Sequence, residues 1–234
     1  MKIYAGTSGF SYKAWKGSFY PEKLPANAML AHYARRLPAV EINNTFYRMP
    51  RASQMEKWAA QVPGEFRFSL KASRRITHMK RLEDCREETD YLFRTVGGLG
   101  AQLGAVLFQL PPYLRKDQPR LEAFVETLPQ GIQVAMEFRH DSWFDQPIFD
   151  LLSAEGLALV ITDSDELPVP ELIRTADWAY LRLRRADYGE TGLAAWAERL
   201  KEARLREAHV FFKHEDEGAG PRMAEQFLEL AGRG

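Results

Sequence analysis

The chain of 234 residues holds a single cysteine, Cys85. One thiol forms no intramolecular disulfide, and no CxxC pair offers the spacing of a zinc site. Cys85 therefore reads as a buried, inert thiol. The five histidines, His32, His78, His140, His209 and His214, form neither HxH nor HExxH, so no metal site is expected. Net charge is also missing: 32 basic residues face 32 acidic ones. No whole-molecule field draws the protein to nucleic acid or to a membrane surface, although a local basic patch is still compatible with neutrality. No apolar stretch approaches the ~20 residues of a bilayer span, and no basic-then-apolar leader precedes the first strand. A cytoplasmic, reducing setting without a membrane partner is the expectation. GxGxxG, Walker and GxSxG motifs are absent, so no cofactor is expected. No Gly/Ser/Pro-rich linker or repeat divides the chain, which reads as one domain over 1–234.

What the chain does have is eight short apolar runs: KIYAGTS, PAVEINN, FRFSLKA, GAVLFQL, QVAMEFR, LALVITD, WAYLRLR and AHVFFKH. Side chains alternate between the two faces of a strand. Alternate residues at the run ends are Ser8, Glu41 and Asn43, Lys71, Gln109, Glu137 and Arg139, Asp163, Arg182 and Arg184, and Lys213. FRFSLK sets Arg67, Ser69 and Lys71 on one face and Phe66, Phe68 and Leu70 on the other. A doubly wound sheet would carry central strands that are apolar on both faces. The alternation favours a (β/α)8 TIM barrel, a fold that needs roughly 200–250 residues.

Helical patterns separate the runs. NAMLAHYARRL has apolar residues at the helical period. SQMEKWAAQV opens with Ser53 and Glu56 spaced as a capping box. CREETDYLFRTVGGL ends in Gly97 and Gly98. Asp117 precedes Pro119, and Asp145 precedes Pro147, each pair reading as N-cap and first turn; Gly156 ends the second of these helices. DELPVPELIR, with Pro168 and Pro170, allows one short helical turn at most, so the helix between strands 6 and 7 is expected to be short or degenerate. Thr191 starts GLAAWAERLKEA, and GPRMAEQFLELAG closes the chain.

In this fold the site lies at the C-terminal ends of the strands. The acids there are Glu41, Glu137 and Asp163; the bases are Lys71, Arg139, Arg182, Arg184 and Lys213. A surplus of fixed cations in a cleft suits an anionic ligand, and Arg forks suit phosphate or carboxylate. The bland alternative is an acid–base network that only orders the upper core, with Glu137 on Lys71 and Arg139, and Asp163 on Arg182. His78 sits among basic residues in RITHMKR, and His140 follows Arg139 at a strand end. Phe10, Tyr12, Trp15, Phe46, Tyr47, Tyr113, Trp143 and Phe144 fill the loops above, either stacking on a ligand or burying one another.

Three functions fit. The favoured one is an enzyme, hydrolase-like or lyase-like and independent of metal, acting on a phosphorylated or nucleotide-like anion. Arg139, Arg182 and Lys213 would hold the anion, with Ser8, Asn43, Gln109, Trp143 and His78 as further binding residues. Glu41 or Glu137 would be the general base, and Lys71 would orient it or stabilise charge; Asp163 completes the catalytic candidates. The second is a non-catalytic nucleic-acid module. The third is a glycosidase-like hydrolase working through Glu41 and Glu137.

TSGFSYKAWKGSFYP, VEINNTFYRMP, FRFSLKASRRITHMKRL, VLFQLPP, EFRHDSWF and ITDS together resemble the YecE-like family, a domain-of-unknown-function family with a TIM-barrel fold. The likeness covers most of the chain. It implies the barrel, brings no reaction, and places weight on Gly6, Ser8, Glu41, Asn43, Lys71, Gln109, Glu137, Arg139, Asp163 and Arg182. Pro221-Arg222 matches the family's usual pair. Leu183-Arg184-Arg185 stands where the family tends to carry His-Gly after the strand-7 Arg, and Phe212-Lys213-His214 where it tends to end in Phe-Asn-Asn; both departures would add positive charge to the mouth. Similarity to sugar isomerases and abasic-site endonucleases extends to the fold class alone.

Overall fold

The computed structural model describes residues 1–166, 168–213 and 218–232. Eight parallel strands close into a barrel in chain order: β1 (Lys2–Ser8), β2 (Ala39–Ile42), β3 (Arg67–Lys71), β4 (Leu103–Gln109), β5 (Val134–Glu137), β6 (Ala158–Asp163), β7 (Trp178–Leu183) and β8 (Glu207–Phe212). Closure comes from β1 on β8, where Lys2 to Thr7 pair in register with Glu207 to Phe212. The helices are α1 (Met29–Tyr33), α2 (Ala52–Ala59), α3 (Arg86–Val96), α4 (Gln118–Val125), α5 (Gln146–Ala154), α6 (Gly189–Glu202) and α7 (Ala219–Gly232). The described residues between β6 and β7 contain no helix, as the two prolines there require.

Helix ends follow their local chemistry. Asp117 accepts from the Arg120 amide (3.1 Å) and Asp145 from the Ile148 amide (3.4 Å), each with proline in the first turn. Gly156, at φ 66°, ends the turn after α5. The Ser53–Glu56 capping box does not form: α2 begins one residue earlier, so Arg51 is the N-cap and no side chain caps the helix. Likewise α6 begins at Gly189 rather than at Thr191.

Two apolar clusters separate outside from inside. The larger lies between strands and helices. The smaller fills the bore with alanines from β2, β4, β5 and β6 (Ala39, Ala105, Ala135, Ala158), Leu107 and Val160, opposite Trp178 and Tyr180 of β7 and Phe211 of β8. Small side chains on one half leave room for rings on the other, which is how a closed barrel reaches core density. Buried His209 extends this column, stacked with Tyr4 at 5.2 Å and with Tyr180 at 6.3 Å. Gly6 admits the close approach of β1 to β2, since a Cβ there would lie 1.8 Å from the Ala39 carbonyl oxygen.

Candidate functional site at the barrel mouth

Above the aromatic column, one guanidinium joins two carboxylates. Arg182 (β7) donates from Nη1 to Glu137 Oε2 (β5) at 2.7 Å and from Nη2 to Glu41 Oε1 (β2) at 3.0 Å. All three side chains are buried, at 3%, 2% and 0% exposure. Ser8 Oγ (2.7 Å) and Asn43 Nδ2 (2.8 Å) also donate to Glu41 Oε1, and the Tyr180 hydroxyl donates to Oε2 at 2.7 Å. Gln109 on β4 donates to Glu137 Oε1 at 2.7 Å and accepts from Lys71 Nζ on β3 at 2.7 Å. The amide of Gln109 is thereby oriented by its neighbours, nitrogen to the carboxylate and oxygen to the ammonium. One continuous polar network runs across β3, β4, β5, β7, β2 and β1.

Electrostatics set the protonation of these groups. Burial alone would raise the Glu41 pKa. The Arg182 charge and the hydrogen bonds from Ser8, Asn43 and Tyr180 outweigh it and hold Glu41 at about 2. Burial, reinforced by the Arg182 charge, brings Lys71 down to about 8 against the opposing pull of Glu137 and Glu41. Burial pushes Tyr180 well up, and the neighbouring Glu41 adds to it. Burial and the Arg182 charge lower Arg184.

Over the network lies a cavity of about 240 Å³ lined by Ser8, Tyr12, Asn43, Phe46, Tyr47, Lys71, Gln109, Arg139, Arg182, Arg184 and Lys213. Five cations line it and no carboxylate does. The side chains of Arg139 and Arg184 have no hydrogen-bond or ion-pair partner among the described residues. Lys71 Nζ lies 4.1 Å from the Phe46 ring centroid. A second cavity of about 400 Å³ adjoins across Arg139 and Arg184, its other walls being Glu137, Phe138, Thr162, Ser164, Asp165 and Glu166.

Three expectations are corrected. Asp163 does not join the ring. Ala158 and Val160 belong to the bore, while Leu159 and Ile161 belong to the outer cluster, so Asp163 faces outward with the latter pair. It accepts from Trp196 Nε1 of α6 at 3.1 Å and pairs with Arg185 at 2.7 Å. LALVITD is apolar on both faces, so its phase could not be read from pattern, and the inward group is Thr162. Trp143 is buried away from the mouth, stacked on Phe138 at 4.7 Å, with its indole nitrogen donating to the Leu114 carbonyl. The pairing set out for the bland alternative differs as well: Glu41 and Glu137, not Asp163, take Arg182.

His78 lies on a π-helical turn, Arg75–Met79, edge-on to Phe46 at 4.9 Å. Burial and the charges of Lys71, Arg139 and Arg74 depress its pKa, so the ring is neutral at pH 7. His140 caps a short turn through Nδ1, which accepts from the Ser142 amide. Cys85 is buried, with Thr89 donating to its sulfur. The loop aromatics divide: Trp15 and Trp143 are buried, while Tyr47, Tyr113 and Phe144 stay exposed.

Residues 4–234 match the family described as "Protein of unknown function DUF72". The chain belongs to the DUF72 family. It is 26% identical to UPF0759 protein YunF of Bacillus subtilis over 269 residues, covering 97% of this chain and 94% of that protein. UPF0759 protein YecE of Escherichia coli is 28% identical over 184 residues, 74% of this chain and 65% of YecE. Among solved structures, a DUF72 family protein from Thermotoga maritima superposes with TM-score 0.84 at 29% identity, covering 99% of this chain and 100% of that one. A second, from Enterococcus faecalis, gives TM-score 0.80 at 19% identity over 98% and 95% of the two chains, a likeness of fold.

In this DUF72 barrel, the weighted residues Ser8, Glu41, Asn43, Lys71, Gln109, Glu137 and Arg182 come together in the network, and Arg139 joins them at the cavity wall. Of the two departures, Arg184 and Lys213 do line the cavity. Arg185 turns outward to Asp163, and His214 lies outside the described residues. Sequence reasoning missed Tyr180 and Thr162. Tyr180 was legible in principle, being two residues before Arg182 and so on the same face. Among the described residues, no group of three or more His, Cys, Asp or Glu side chains is placed to hold a metal ion. No helix among them is long and apolar enough to cross a membrane.

Proposed function

We propose that this protein is an enzyme, hydrolase- or lyase-like, that holds a small phosphorylated anion in the barrel mouth and moves a proton through Lys71. One observation carries the reading: the cavity wall is cationic, and the two carboxylates beneath it are already taken by Arg182. Arg139, Arg184 and Lys213 would hold the anion. Glu41 accepts four hydrogen bonds and is a poor base; its part is to position Arg182. Lys71 suits proton transfer better. With a pKa near 8, its ammonium and amine are both populated under mild conditions, the range in which a general acid–base group works well. Gln109 holds its Nζ. The glycosidase reading loses ground because Glu41 stays ionised at any moderate pH, and both Glu137 oxygens already accept hydrogen bonds, from Gln109 and Arg182.

Calorimetric titration and melting curves with a panel of phosphate esters test the reading. A ligand that binds only the folded chain raises its melting temperature. Removing both cations in R139A/R184A should weaken binding by ~10-fold or more, and K71M should abolish turnover while leaving affinity near that of the parent. A panel without a binder, or equal binding by the double variant, would sink it. A nucleic-acid module is the second reading, favoured by Tyr47, Tyr113 and Phe144 exposed on the loops at this end, at 75%, 64% and 46%. That reading expects binding to single-stranded DNA or RNA that falls steeply with salt.

A further inference from the structure

The second cavity differs in chemistry from the first. Beyond the shared Arg139 and Arg184, it offers two hydroxyls, Thr162 and Ser164, and three carboxylates, Glu137, Asp165 and Glu166, the first already held by Arg182 and Gln109. Thr162 Oγ1 is buried with no partner, and so is Arg182 Nε. The two residues sit side by side in the β6–β7 register. A buried polar group without a partner costs stability, and two of them at the junction of two cavities mark where a ligand's polar atoms belong. Asp165 spends one oxygen on the Ala186 amide at 2.8 Å; Ser164 and Glu166 have no hydrogen bond to any described residue.

This lining discriminates among ligand ends. Carboxylates there repel a second anion. The shared arginines repel an ammonium. Of the residues lining the space, Phe138 alone is apolar, so a hydrocarbon or aromatic tail gains less than a polar one. Alcohol groups satisfy every wall: they donate to Asp165 and Glu166 and accept from Thr162, Ser164 and the arginines. Building on the anion-binding reading above, we infer that the substrate is a phosphorylated sugar or polyol, its phosphate in the cationic cavity and its hydroxyls in the neighbouring one against Thr162 and Ser164.

Calorimetric titration with ribose 5-phosphate, phenyl phosphate and inorganic phosphate tests this on the parent, T162V and T162S. Ribose 5-phosphate should bind the parent at least ~10-fold tighter than phenyl phosphate, because a site built for hydroxyls leaves its polar groups unpaired when they are absent. T162V should lose ~10-fold for ribose 5-phosphate, hold inorganic phosphate unchanged, and melt no lower than the parent without ligand; T162S should restore sugar-phosphate binding. Equal affinity for ribose and phenyl phosphates, or an unchanged T162V, overturns the inference and leaves the anion site standing. Failure of all three phosphates to bind the parent overturns both.

Discussion

Arg182 is the residue on which the mouth is assembled. Replacing it with Met leaves Glu41 and Glu137 buried without their cation, and the loss of one partner of a buried pair costs about 3–5 kcal/mol. R182M should therefore show a much lower denaturation midpoint, with Glu41 free to protonate. The Glu41 linkage has a definite sign. Its folded pKa, about 2, lies below the ordinary 4.5, so it stabilises the fold above the unfolded value. That contribution, roughly 3 kcal/mol, is lost as pH falls from 4.5 toward 2. Stability against pH should be steep there in the parent and flatter in E41Q. Lys71 has the opposite effect: with its folded pKa depressed, the buried ammonium weakens the fold below about pH 8. K71M should melt at the same temperature or higher at pH 7 while losing the proposed turnover. The inward phase of Lys71, Gln109 and Glu137 was legible because Phe68, Leu70, Phe108 and Met136 alternate with them. The Asp163 phase was not, because both faces of β6 are apolar, one toward the helices and one toward the bore.

At the scale of elements, the caps carry the clearest tests. The Asp117 and Asp145 caps could be read from an acid with proline two residues on, a pairing that satisfies one orphan amide and removes the need for another. The start of α2 could not, since Ser53 and Glu56 have the spacing of a box but the chain enters the helix at Arg51 in an extended conformation. Arg51→Asp should add about 1 kcal/mol by supplying the missing cap, read as a higher unfolding midpoint. Gly6→Ala should be severe, ~3 kcal/mol, because the new Cβ meets the β2 backbone rather than a movable side chain. Since β1 and β2 pair through Ser8 and Glu41, this variant should also disturb the proposed anion binding, which a cap variant should not.

For the whole molecule, the eight-run rhythm with intervening helical patterns was sufficient to expect a closed parallel barrel, since strand–helix alternation admits few other topologies. What no pattern in the chain could reveal is how charge is divided across the mouth. That depends on which arginine each carboxylate captures, and Arg185 and Arg182 lie only three positions apart. The rings of Tyr4, Trp178, Tyr180, His209 and Phe211 fill the bore beneath the polar network. The mouth is thus sealed from below, with no passage through the bore. Under the proposed enzyme reading, product must leave on the side its precursor entered, so product should act as a competitive inhibitor, visible as a rising KM at constant kcat.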